Sequence, residues 1–168
     1  MEEWKKYSSK RYRQTEIDPH VVDIIKNAIA VIDVGCGYNP YKKFHNNLIG
    51  VDIINDKADI VCDILDFSAE EKFDVAICYG SLHFNSYEWV RERLEWVINN
   101  TTDNAQILMK VNPSSHRMPP RFDRWNPGLA EHFAEIYNLK VRNWREWRSP
   151  IDNTLRYKFD YKKVEREL

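Results

Sequence analysis

Between residues 30 and 80 the chain carries four short β-branched runs, each closed by a glycine or an acid: AVIDVG (30–35), LIGVD (48–52), ADIVCD (58–63) and FDVAICYG (73–80). Short apolar runs bounded in this way read as parallel strands buried on both faces. Such strands need neighbours on either side and helices above and below, which confines the chain to an α/β sheet. Glycine is scarce, with five in 168 residues, and three of them (Gly35, Gly37, Gly80) follow directly on two of the runs. Ligands of open parallel sheets lie beyond the carboxyl ends of the strands, where glycine lets the backbone approach closely. Acids follow the same rule: Asp33 lies within the first run, Asp52 closes the second and Asp63 the third. A carboxylate ending a strand beside a glycine turn suits a ribose diol, and one a strand further out suits an adenine amino group.

The flanking sequence supplies the other layers. Asp18-Pro19 reads as an N-cap with proline at the first helical position, which predicts a helix over about 18–28. Residues 86–100 (SYEWVRERLEWVINN) place Val90, Leu94, Val97 and Ile98 on one face at helical spacing, with Ser86 as the cap and Trp89 and Trp96 as a second stripe that extends the core contact. AQILMKV (105–111) predicts another buried strand, Pro127 to Tyr137 a helix and Val141 to Trp147 a strand. In Thr154 to Tyr161 the alternation is strict, with Leu155, Tyr157, Phe159 and Tyr161 on one face and Arg156, Lys158 and Asp160 on the other. That pattern predicts a half-exposed strand. The whole reads as one domain over 1–168, a three-layer α/β sheet with a cap segment and helix at 1–28 and a two-stranded antiparallel flap at its end.

Composition narrows the function. Apolar residues make up 43% of the chain, enough for a real core, and the net charge of −1 excludes a generically basic nucleic-acid binder. No apolar run reaches the roughly 20 residues of a membrane span, and MEEWKKYSSKRYR at the start lacks a signal peptide's apolar stretch. Cys36, Cys62 and Cys78 show no CxxC spacing and suit reduced thiols in a cytoplasmic protein. His20, His45, His116 and His132 show no ligand spacing either, so no metal is expected. The charge is segregated: residues 1–13 are basic, 14–116 acidic and 139–168 basic. One reading makes the ends solvated edges; the other has Lys5, Lys6, Lys10, Arg11 and Arg13 meet Arg117, Arg121 and Arg124 around a site for an anionic acceptor, with Trp4, Tyr7 and Tyr12 closing over it. The segment 112–125 reads equally as a cationic lid or a surface loop.

Dinucleotide binding is disfavoured, because Gly35-Cys36-Gly37-Tyr38-Asn39-Pro40 has proline where the GxGxxG fingerprint needs its third glycine. The same residues resemble the class I S-adenosylmethionine-dependent methyltransferases. VIDVGCGYNP (31–40) is similar to that family's first motif, IGVDI (49–53) to its second, IVCDILDF (60–67) to its third, and FDVAICYGSLHF (73–84) to its fourth strand and the substrate-facing loop after it. The resemblance covers about 31–111 and implies a Rossmann-like, mostly parallel sheet with an antiparallel C-terminal pair. It implies S-adenosylmethionine as cofactor, with Asp33, Gly35, Cys36 and Gly37 about the methionine part, Asp52 and Ile53 at the ribose, Asp63 and Ile64 at the adenine, and Tyr79 and Gly80 lining the cofactor. His83 is the candidate base, with Tyr79 and Ser81 behind it.

The chain departs from the family pattern in two linkers. Only residues 35–47 separate the first two strands and 53–57 the next two, too few for the usual crossover helices. The exposed character expected of 154–161 departs likewise from the inner place of the family's last strand. Methyl transfer to a small-molecule or sugar-type acceptor is the expected function. The alternatives are a cofactor-binding module without transfer and a nucleic-acid methyltransferase. The Asn/Asp/Ser-Pro-Pro-aromatic run common in base amino-methyltransferases is replaced by Tyr79-Gly80-Ser81-Leu82.

Overall fold

The computed structural model describes residues 2, 4–5, 16–114, 120–150 and 152–165. Asp18 caps helix α1 (Pro19–Ile25) by accepting the His20 N–H at 3.0 Å. Strands β1 (Val31–Val34), β2 (Leu48–Asp52), β3 (Ile60–Val61) and β4 (Phe73–Tyr79) follow, then α2 (Tyr87–Asn99), β5 (Thr101–Val111), α3 (Pro127–Tyr137), β6 (Leu139–Arg148) and β7 (Leu155–Lys163). Ser86 caps α2 through the Trp89 N–H, and Asn126 caps α3 through the Leu129 N–H. The linkers are as short as their lengths require: a single 3-10 turn, Lys42–Phe44, joins β1 to β2, and no helix joins β2 to β3.

The seven strands lie in the order β3-β2-β1-β4-β5-β7-β6. Strands β1 to β5 run parallel, and β7 runs antiparallel to both of its neighbours. The expected antiparallel C-terminal pair is present as β6 and β7, joined to the main sheet through β7. The half-exposed character expected of β7 is corrected, since Arg156, Lys158 and Asp160 are buried along with Phe159 and Tyr161. Asp160 meets Gln106 of β5 and Asn143 of β6, Lys158 meets Asp18 at the cap of α1, and Arg156 meets Asp152 in the preceding turn, partners that alternation in sequence does not reveal. A second correction concerns β3, which is two residues long with Ile60 and Val61 exposed at the sheet edge rather than buried on both faces.

Two apolar layers sandwich the sheet. On one side Val90, Leu94 and Val97 of α2 and Phe133 of α3 pack on Ile32, Ala76, Met109, Phe159 and Tyr161. On the other, Val21 and Ile25 of α1 cover Val31, Leu48, Ile77 and Leu108. The described part of the 112–125 segment is packed rather than loose. Phe122 donates its N–H to His83 O at 2.8 Å, and Trp125, 1% exposed, donates its indole N–H to Leu82 O at 2.8 Å. Together with a bridge between Phe84 and Arg121, these bonds fix the loop after β4. Of the basic residues expected around the site, Lys6, Lys10, Arg11, Arg13 and Arg117 lie outside the described residues, as do Tyr7, Tyr12 and His116; Lys5 and Arg124 are exposed and Arg121 is buried.

Candidate cofactor cleft at the carboxyl ends of the strands

A cleft opens over the carboxyl ends of β1 and β2, bounded by the loop after β4 and by α2. Gly35 and Asp52 form its floor, Ile53, Asp63 and Ile64 one wall, Ser81, Leu82 and Phe84 the other, and Trp4, Trp89 and Arg93 its rim.

Turn chemistry shapes the floor. Gly35 has φ +68°, and a Cβ there would stand 2.4 Å from the Ser81 Cβ, so only glycine admits the loop after β4 this close to the loop after β1. Gly37, at φ +56°, donates its N–H to Asp52 Oδ2 at 2.9 Å. Asp52 Oδ1 accepts from Ile54 N–H at 3.0 Å and Asn55 N–H at 2.9 Å. Three backbone donors thus fix a carboxylate that is 4% exposed; Oδ1 is filled by two of them, and Oδ2 keeps a lone pair for a further donor.

The outer wall is held by side chains. Asp63 caps the 3-10 turn Ile64–Asp66 with Oδ1, and its Oδ2 accepts a bond from Arg93. The Arg93 guanidinium lies 3.9 Å from the centre of the Trp89 ring and donates to Trp89 O at 3.2 Å, so α2 carries a cation–aromatic stack aimed at Asp63. Trp4 stands edge-on to Phe84 at 4.8 Å and stacks with Trp89 at 6.5 Å, closing the third side with aromatic surface.

Of the residues singled out in sequence, Trp4, Gly35, Asp52, Ile53, Asp63, Ile64 and Ser81 line this cleft; Asp33, Cys36, Gly37, Tyr79, Gly80 and His83 do not. Asp33 is 3% exposed; burial, helped by the charge of Asp52 and opposed by Lys110, pushes its carboxyl up to about 8. Burial likewise pushes the Cys36 thiol far up, against a reactive role. Tyr79 points to the α1 side of the sheet, where its hydroxyl donates to Asp18 Oδ2 at 2.9 Å. His83 is 4% exposed, with its ring against Phe84 and its Nδ1 accepting the Asn112 N–H at 3.0 Å. In the neutral ring that bond places the proton on Nε2. Sequence reading missed Arg93, Phe84 and the place of Trp89 at the rim. The available signal was the Trp89–Arg93 spacing of four, which puts a ring and a cation on one helix face.

Among the described residues no three His, Cys, Asp or Glu side chains form a metal-binding group, and no helix is long and apolar enough to cross a membrane. No protein-family model matches the chain, and no curated protein is similar to it. Solved structures are similar in fold. The 1,6-didemethyltoxoflavin-N1-methyltransferase of Burkholderia thailandensis, solved with 1,6-didemethyltoxoflavin and S-adenosylhomocysteine, matches 88% of this chain and 78% of its own at 16% identity and a TM-score of 0.70. The N-methyltransferase NodS of Bradyrhizobium japonicum, with S-adenosylhomocysteine, matches 95% and 98% at 11% identity and 0.65. Magnesium protoporphyrin IX methyltransferase of Synechocystis, with S-adenosylmethionine, matches 95% and 91% at 12% identity and 0.67. With its strand order, its reversed seventh strand and these matches, the chain has the fold of the class I S-adenosylmethionine-dependent methyltransferases.

Proposed function

We propose that the protein binds S-adenosylmethionine in this cleft and transfers its methyl group to a small-molecule acceptor. The observation that carries the reading is Asp52, a buried carboxylate preset by three backbone N–H groups at the end of β2, with a lone pair left on Oδ2 for a ribose hydroxyl. Further along the wall, Asp63, aligned by Arg93, together with Ile64 suits an adenine edge and face. Asp33 in β1 and Gly35, Cys36 and Gly37 in the turn after it lie toward the methionine end, with Ile53 beside the ribose and Tyr79 and Gly80 contributing backbone near the reacting carbon. The three similar structures hold this cofactor or its demethylated product.

The cofactor supplies a methyl group already activated by a sulfonium, so the protein's task is to hold an acceptor atom in line and exclude water. The loop after β4 suits that task, being pinned by the Trp125 indole and the bridge to Arg121. His83 serves it as a positioning residue: its Nδ1 already holds the Asn112 amide, and a base role requires that bond to be given up. An acceptor atom that arrives without a proton fits this site best. Titration calorimetry with S-adenosylmethionine and S-adenosylhomocysteine tests the reading, with binding expected for both and absence of heat for both against it.

The engaged His83 also favours a second reading, a cofactor-binding module without transfer. Formation of S-adenosylhomocysteine with pooled metabolites would exclude that module. A nucleic-acid acceptor ranks lower; RNA and DNA affinity measured between about 50 and 200 mM salt should show no steep salt slope.

A further inference from the structure

On the α1 side of the sheet, cations occupy facing positions on three adjacent strands. Lys110 of β5 faces Lys158 of β7, which faces Arg145 of β6, while Tyr79 of β4 faces Lys110 from the other side. Residues in such register stand about 5 Å apart at Cβ, and like charges so placed repel. Lys158 is 8% exposed, so water does little to screen the row. Asp18 offsets part of it, bonding Lys158 at 3.0 Å and reaching Arg145 at 3.5 Å. Glu16 also contributes attraction toward Lys110. Among the described residues no carboxylate pairs with Lys110 within 4 Å. Its ammonium instead faces the rings of Tyr79 at 5.2 Å and Trp147 at 5.9 Å, and Trp147 also stands 4.3 Å from the Lys158 ammonium. Burial first, then Lys158 and Arg156, pushes the Lys110 ammonium down to about 8. Sequences tolerate such local conflict mainly where function requires it.

We propose that Lys110, Lys158 and Arg145, walled by Tyr79 and Trp147, form a seat for an anionic group, carboxylate or phosphate, carried by the acceptor. The seat lies at the carboxyl end of β5, where Gly80 N–H donates to Lys110 O at 2.9 Å, so it adjoins the loop whose Ser81 and Leu82 line the cofactor cleft. Arg145, whose side chain is 34% exposed, leaves it open to solvent. The rings give an aromatic or apolar acceptor body a surface beside its anion. The assignment to an acceptor rests on the methyltransferase reading, whereas the anion seat itself does not.

Inorganic phosphate is the probe, titrated against thermal melting at ionic strength held constant with sodium chloride. The wild-type protein should be stabilised saturably. Lys110→Met, which keeps the stem and removes the charge, should melt higher than wild type without phosphate and bind phosphate about tenfold more weakly. Arg145→Gln should weaken phosphate binding in the same direction, and calorimetry should give both variants unchanged affinity for S-adenosylhomocysteine. A phosphate response that is absent, or equal in wild type and both variants, overturns the seat. If Lys110→Met weakens S-adenosylhomocysteine but not 5′-methylthioadenosine, which lacks the amino-acid end, the cations serve the cofactor's carboxylate and the acceptor assignment falls. Failure of wild type to bind S-adenosylhomocysteine would sink the methyltransferase reading while leaving the phosphate result to stand by itself.

Discussion

The two halves of the sheet hold their buried acids by different means. In the β3-β2-β1-β4 half, Asp52 is fixed by backbone N–H groups of the turns that follow β1 and β2, and the same turns build the cleft. In the β5-β7-β6 half, Asp160 is fully buried and is held by side chains: Gln106 at 3.2 Å, Asn143 at 2.7 Å and His20 at 2.9 Å. Backbone donors cannot titrate or rotate away, so an acid held by them keeps one geometry over a wide range of conditions. A side-chain network depends on charge and rotamer and can be tuned or lost one member at a time. The first arrangement suits a ligand whose shape never varies, such as a cofactor; the second suits a specificity surface.

Substituting the acid in each half tests that contrast. Asp52→Ala strips an acceptor from three backbone donors and removes the ribose contact. Binding of S-adenosylhomocysteine should fall by about a hundredfold or more, with roughly 2–4 kcal/mol lost from urea-unfolding stability. Asp160→Ala should cost a comparable or smaller amount of stability, about 2–3 kcal/mol, because it leaves Gln106 and Asn143 short of a partner. Cofactor affinity should stay within about twofold of wild type. An Asp160 variant that loses the cofactor as completely as the Asp52 variant would break the division between the halves.

Asp33 sits between the two, attracted by Lys110 and repelled by Asp52. Its carboxyl is raised to about 8 by burial and then by Asp52, so the folded state holds a proton that the unfolded chain releases. Stability should therefore fall as pH rises from about 4 toward 8. Lys110 acts with the opposite sign and only above about 8, since below that both states bind its proton. Asp33→Asn should flatten the slope and gain roughly 1–3 kcal/mol at pH 8, with no gain below about pH 3.5. Denaturant midpoints measured across that range give the answer, and a variant as pH-sensitive as wild type would refute it.

The same contrast governs what was legible in the sequence. β2 and α3 match their expected bounds, β1 and α2 differ by a residue at either end, and β4 by one at its end, because strand-end acids, prolines and caps are local signals. Asp52 and Gly35 were legible for the same reason. The place of β7 was not, because alternation reports which residues share a face and not whether that face is covered; Asp160 is buried between Gln106 and Asn143 of the flanking strands, Lys158 against Asp18 and Arg156 against Asp152. β3 was overread because Ile60 and Val61 are apolar, yet the short linkers leave the edge open. Asparagine was overlooked as a turn former: Asn39, Asn85 and Asn143 take positive φ in a chain poor in glycine, and the last marks the irregularity in β6.

The smallest expected effect falls at Arg93, where the backbone-built cleft borrows a side chain. Arg93 stacks on Trp89, bonds its carbonyl and aligns Asp63, which also keeps the Leu65 N–H as a backbone anchor. Arg93→Lys preserves the positive charge but replaces a planar fork with a single mobile ammonium, losing the stack and the second bond. Asp63 stays near its place while its alignment loosens, so S-adenosylhomocysteine should bind about three- to tenfold more weakly. Calorimetry with 5′-methylthioadenosine sharpens the test, because that molecule shares the adenine and lacks the amino-acid end. Equal losses for both ligands place the effect at the adenine wall. A loss confined to S-adenosylhomocysteine would move Arg93 to the other end of the cofactor and turn the assignment of Asp52 and Asp63 around.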